Sequence, residues 1–120
     1  MSIPQITTRA TNVELTDERK SLIMRRLAPL SRFLVHEDSI AIDLVMRRIR
    51  ARFGGDMYYL SVKVSTPHDT YMAVATENNL GKALTAAREV LRRSISRGAS
   101  VVDYGVRRSR RQQAAYTLTL

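Results

Sequence analysis

The 120-residue chain contains no cysteine. That absence removes a disulfide framework, a thiol nucleophile and any zinc or iron–sulfur site built on thiolates. No apolar run approaches the roughly 18 to 20 residues of a spanning helix. The opening stretch, MSIPQITTRATNVELTDE, lacks the basic start and apolar run of a signal peptide. A soluble, cytoplasmic protein is the expectation. There is no internal repeat, no low-complexity segment, and no zinc-finger, basic-zipper or helix-turn-helix pattern. Histidine is scarce: His36 and His68 stand in separate polar stretches without Ser/His/Asp or metal-ligand spacing. They read as two exposed loop histidines. Asp43 on a strand and Glu89 on a helix are lone carboxylates, too little to propose a nuclease pair. No enzyme, no cofactor and no metal are expected.

Positive charge is what the chain has in excess. Twenty Lys and Arg face eleven Asp and Glu, a net charge of +9, and seventeen of the twenty are Arg. Arg carries a planar fork that fits phosphate, where Lys offers a point charge. From Arg19 to Arg52 nine basic residues face three acids, Glu37, Asp38 and Asp43; from Arg88 to Arg111 eight face two, Glu89 and Asp103. Like charges destabilise a compact state unless a counter-polyanion neutralises them. Nucleic acid is the first expectation, ahead of an acidic protein or a membrane.

Hydrophobic residues make up 44% of the chain, enough for one core and one domain. Alternation over 5–10 predicts a short strand, with Ile6, Thr8 and Ala10 on one side. Thr16 is a helix N-cap followed by the acids Asp17 and Glu18. Leu22, Ile23, Leu27, Leu30, Phe33 and Leu34 form an apolar stripe. Arg25 and Arg32 fall off that stripe and Arg26 lies at its edge. Pro29 predicts a kink, or a helix that ends near Ala28 and restarts.

After His36-Glu37-Asp38, a strand places Ile40, Ile42, Leu44 and Met46 on one face and runs on to Phe53. Gly54-Gly55-Asp56 reverses the chain into a hairpin partner, with Tyr58, Leu60, Val62 and Val64 opposite Tyr59, Ser61, Lys63 and Ser65. Pro67-His68-Asp69 turns it into a third strand over 71–75. Asn78 or Asn79 caps a last helix whose stripe is Leu80, Leu84, Ala87, Leu91 and Ile95, with Gly98 as C-cap. Arg88 and Arg92 flank that stripe, and Arg93 and Arg97 point away from it. The expected fold is α+β, a two-layer β-α-β-β-β-α sandwich: a four-stranded sheet with two helices on one face. Residues 1–97 form the domain and 98–120 a basic tail, mobile in isolation.

The aromatic signature of an RNA-recognition motif is missing, and its element order differs. Tyr58 and Tyr71 belong to the apolar sheet face, which leaves Tyr59 alone on the open one. Recognition of structured RNA by phosphate and shape is therefore better supported than base reading.

Two stretches resemble a known family. TRATNVELTDERKSLIMRRLAPLSRFL, with Asn12, Val13, Glu14, Leu15 and Thr16, resembles the opening of the ribosome hibernation-promoting factors, also called ribosome-associated inhibitors. TYMAVATENNLGKALTAAREVLRRSISR resembles their last strand and final helix, with Asn79-Leu80-Gly81 standing where the family carries Asp-Met/Leu-Tyr. The resemblance covers about residues 5–97. It implies binding to the small (30S) subunit and its 16S rRNA, and to 70S particles, in the channel of messenger and tRNA. Translation is blocked there and the idle ribosome protected. Lys20, Arg26 and Arg32 on the first helix, and Arg93 and Arg97 on the last, fall at basic positions that meet RNA in the family. Helix geometry adds Arg25 and Arg92. Arg107, Arg108, Arg110 and Arg111 follow an RNA groove as a tail ordered on binding. No membrane and no small-molecule substrate are implied, and the protein is expected to be monomeric off the ribosome. A generic structured-RNA-binding or ribosome-assembly module is the alternative, and a domain that binds an acidic protein is a third reading.

Overall fold

The computed structural model describes residues 4–50 and 54–98. Strand β1 (Gln5–Thr11) turns Ile6 and Thr8 partly inward and Gln5, Thr7 and Arg9 outward; Ala10, on the inward side, is exposed. Asn12 then takes a left-handed backbone, φ 59°, which Asn tolerates better than most side chains. This turn delivers Thr16 to the start of helix α1 (Asp17–Leu27), where its hydroxyl accepts from the Arg19 N–H at 3.2 Å. The cap satisfies one of the four orphan donors of the first turn.

Pro29 decides where α1 stops. It has no N–H to give, and its ring would strike the carbonyl one turn back. The chain tightens instead into a 3-10 segment, Ala28–Leu34, with Pro29 in its first turn, where no donor is needed. Ile23, Leu27, Leu30 and Leu34 stay buried through the change, while Leu22 packs at the core's margin. Phe33 does not join them. The buried spacing of four, three and four residues passes it by, and it remains 42% exposed.

Strand β2 (Ala41–Arg50) pairs in parallel with β1 and antiparallel with β3 (Asp56–Ser65); β3 pairs antiparallel with β4 (Thr70–Glu77). The sheet order is β1-β2-β3-β4. β2 ends at Arg50, so the expected run to Phe53 falls on residues outside those described, and β4 extends the expected 71–75 at both ends. Gly54 and Gly55, at φ 98° and 70°, supply the reversal between β2 and β3 that a side chain would oppose. Between β3 and β4, Thr66 holds the turn: its N–H donates to the Asp69 carbonyl at 2.8 Å and its hydroxyl accepts from the Asp69 N–H at 2.9 Å.

Helix α2 (Leu80–Arg97) starts at Asn79, whose side chain accepts from the Lys82 N–H, and ends at Gly98 in the left-handed region. Its buried line, Leu80, Ala83, Leu84, Ala87, Leu91 and Ile95, meets Ile42, Leu44, Met46, Leu60, Val62, Val64, Tyr71 and Ala73 in one core shared with α1. Within each strand these residues alternate, and the register sets Val64 beside Tyr71 and Val62 beside Ala73, so both helices cover the same sheet face and no described element covers the other. The described residues make a slab of 41 × 37 × 19 Å. Among them no helix is long and apolar enough to cross a membrane. The basic tail expected over 98–120 lies, beyond Gly98, outside the described residues.

Candidate nucleic-acid interface

Burying the helix stripes against the sheet leaves the opposite helix surfaces to solvent, and the basic residues follow that geometry. Lys20 and Arg25 are exposed on α1, Arg32 on the 3-10 segment, and Arg93 and Arg97 on α2, while Arg26 and Arg92 are half-buried at the flanks. Among the described residues, Lys20, Arg25, Arg32 and Arg97 make no ion pair. Their charge is available to a partner. Arg107, Arg108, Arg110 and Arg111 lie outside the described residues.

Two of the expected residues bond to Glu89. Arg92 Nε and Nη2 donate to Glu89 Oε2 at 3.2 and 3.1 Å, and Arg93 Nε donates to the Glu89 carbonyl at 3.3 Å. The Arg92 hydrogen bond first, and its charge second, hold the Glu89 carboxyl below its ordinary 4.5, with Arg88 and Arg93 adding to the pull. Across from Glu89, Arg26 reaches from α1 into a groove of about 470 Å³ that Lys82, Thr85 and Glu77 also line. The Arg26 Nε is buried there without a hydrogen bond among the described residues. Gly81 lines the same groove, so the side chain missing at that position widens it.

The histidines are exposed, as expected, yet they are not separate. His36 Nε2 lies 3.3 Å and His68 Nδ1 3.1 Å from the two carboxylate oxygens of Glu37, whose side chain is 4% exposed. Glu37, in the polar stretch His36-Glu37-Asp38 before β2, is therefore a buried acid linking the end of the 3-10 segment to the β3–β4 turn. No group of three His, Asp or Glu among the described residues is arranged to hold a metal ion. Asp43 alternates with the buried Ile42 and Leu44 and so faces the open side of the sheet, whereas Glu89 lies on the helix layer. The two carboxylates stand on opposite sides of the sheet and form no pair.

Sequence reasoning passed over Lys82, a single basic residue between Gly81 and Ala83 with no cluster to mark it. It also left Arg47 unassigned. The β2–β3 register sets Arg47 opposite Tyr59, with the guanidinium carbon 5.3 Å from the ring centroid. Alternation had already placed Tyr59 on the open face, but cross-strand partners depend on register and not on spacing along the chain. Tyr71 is buried and Tyr58 packs at the margin of the core, both as expected.

No protein-family model and no curated protein matches the chain. Solved structures do. The N-terminal domain of protein Y from Thermus thermophilus superposes with a TM-score of 0.61 at 21% identity, over 81% of this chain and 98% of that one. The chain has the protein Y fold. A ribosomal subunit interface protein from Coxiella burnetii shares it, with a TM-score of 0.57 at 17% identity over 82% of this chain and 98% of that one. Nearly all of each neighbour is matched, so the fold of that N-terminal domain is present throughout. The family resemblance carried by 12–16 and by the last helix leads to this same fold.

Proposed function

We propose that this protein is a ribosome hibernation factor, which binds the small subunit in the channel of messenger and tRNA, blocks translation and protects the idle ribosome. The observation that carries the reading is a predominantly basic helix surface, with Lys20, Arg25, Arg32 and Arg97 unpaired among the described residues, on a fold shared with a ribosomal subunit interface protein. No bond is made or broken. Occupancy of the channel is the whole mechanism, and the forked guanidinium groups supply phosphate contacts that hold the protein in register. Residues 1–97 are the ribosome-binding domain in this reading. Lys20, Arg25, Arg26, Arg32, Arg92, Arg93 and Arg97 meet 16S rRNA, and Arg107, Arg108, Arg110 and Arg111 extend the contact from a basic tail.

Co-sedimentation of the purified protein with vacant ribosomes and isolated subunits tests this. Saturable pelleting near one to one with 70S and 30S particles, lost when tRNA and messenger are preloaded, is the expected result. Weak, unsaturable pelleting with every RNA present would replace the reading with a generic RNA-binding module. Arg93→Glu combined with Arg97→Glu is expected to abolish pelleting while the melting transition stays intact. A double variant that melts normally and still pellets refutes the assigned residues.

A further inference from the structure

The face of the sheet away from the helices mixes polar and apolar side chains, and no helix or strand among the described residues covers it. Register aligns Arg9, Val45, Ser61 and Val74 across the four strands, and beside them Thr11, Arg47, Tyr59 and Thr76. Ile49 pairs with Met57 one step further along. Val45 and Ile49 are 38% and 40% exposed. Two-layer folds with one wet sheet face place polar side chains there, and on this face the exposed Val45 and Ile49 stand among them.

Its charge selects the occupant. Arg9, Arg47 and Lys63 stand on the face against one acid, Asp43, which pairs in register with Lys63. A second copy would bring Arg9 and Arg47 against like charges on a chain of net charge +9. A mixed surface with a half-buried tyrosine, a guanidinium against its ring, exposed aliphatic side chains beside it and basic side chains around it has the chemistry of a nucleobase-stacking surface. We propose that this open sheet face is a second RNA-binding surface, which takes unpaired RNA with a base stacked on the Tyr59–Arg47 pair. Phosphates are met by Arg9 and Lys63. Stacking is tolerant of base identity, because every base offers a π face. The four strands span about 14 Å, room for a few nucleotides. The site lies on the far side of the slab from the helix-borne arginines and does not rest on the ribosome reading.

Fluorescence anisotropy with a labelled oligouridine of about ten nucleotides, against a perfect RNA duplex, tests it on the full chain. Tyr59→Leu keeps apolar bulk and removes the ring. It is expected to weaken oligouridine at least about fivefold and to leave the duplex within about twofold, with Tyr59→Phe restoring wild-type binding. Equal effects on both RNAs overturn the proposal, as does a wild-type protein with no saturable affinity for oligouridine. So does Tyr59→Leu binding both as wild type, which would turn the face toward a protein partner. If Tyr59→Leu loses its cooperative melt, Arg47→Gln at an exposed position makes the same comparison. No ribosome enters the assay, so its failure and failure of ribosome pelleting are separate results.

Discussion

Counted along the chain, Glu37 is one of three acids set against nine basic residues; folded, it is buried between two histidines. The consequence is a pH dependence that composition does not foretell. The hydrogen bond from His68 to Glu37, then the Glu37 charge, raise the His68 imidazole above its ordinary 6.5, against a small desolvation effect and with help from Asp69 and Asp38. A raised folded value favours the protonated form in the native state. The stabilisation is complete below the unfolded value and is lost as pH rises through the folded one. His36, on the same carboxylate, and the acids Asp38 and Asp69 complete the charged surroundings. Melting temperature is expected to fall from about pH 6 to about pH 8, and His68→Gln to flatten that fall. Salt is expected to shrink the effect, since His68 is exposed. Glu89 works in the opposite sense: its lowered value contributes stability above about 4.5 that disappears as pH falls through the folded value.

At the scale of elements, Pro29 and Leu91 make opposite cases. Pro29 sits where the backbone already suits it, so it stabilises by narrowing the unfolded ensemble. Pro29→Ala is expected to cost about 0.5–1 kcal/mol in urea unfolding. A gain in stability would mean instead that the proline imposes strain on α1. Leu91 is fully buried at the centre of the α2 stripe. Leu91→Ala is expected to cost about 2–5 kcal/mol, the spread reflecting how far the site collapses. The caps at Thr16, Asn79 and Gly98, the turn at Gly54-Gly55 and the alternation of β2 and β3 were all legible, because each depends on residues within one turn or one strand. Phe33 was misread for the complementary reason. A stripe drawn at 100° per residue holds through α1 but not through the tighter segment that Pro29 imposes, where the phase changes.

On the scale of the whole molecule, the basic residues act as a sum. If the seven assigned side chains on the two helices and the 3-10 segment each neutralise one phosphate, the logarithm of ribosome affinity falls against log salt with a slope of about −5 to −6. Charge removal at Arg93 and Arg97, by substitution with Gln, is expected to make that slope shallower by about 2. Salt titration of co-sedimentation measures both. An unchanged slope would place those two side chains outside the RNA contact, whatever happened to the affinity.

The sequence by itself determined the order of the elements, the caps of both helices, the single apolar face of each element, and therefore a sheet with both helices on one side. It also determined which basic side chains point away from the core, because a helix of known phase leaves little freedom. Tertiary structure alone decided what meets what. Glu37 and His68 are 31 residues apart, and only the chain's return through β3 brings them together. Arg26 meets the Glu89 groove only because α1 and α2 lie side by side, and Asp43 and Glu89 are parted only because the sheet stands between them. Tyr59 gains Arg47 through β2–β3 pairing. A one-residue slip would turn that ring to the other face. Periodicity is local and survives in the sequence, whereas register and helix juxtaposition are settled by packing the whole core at once.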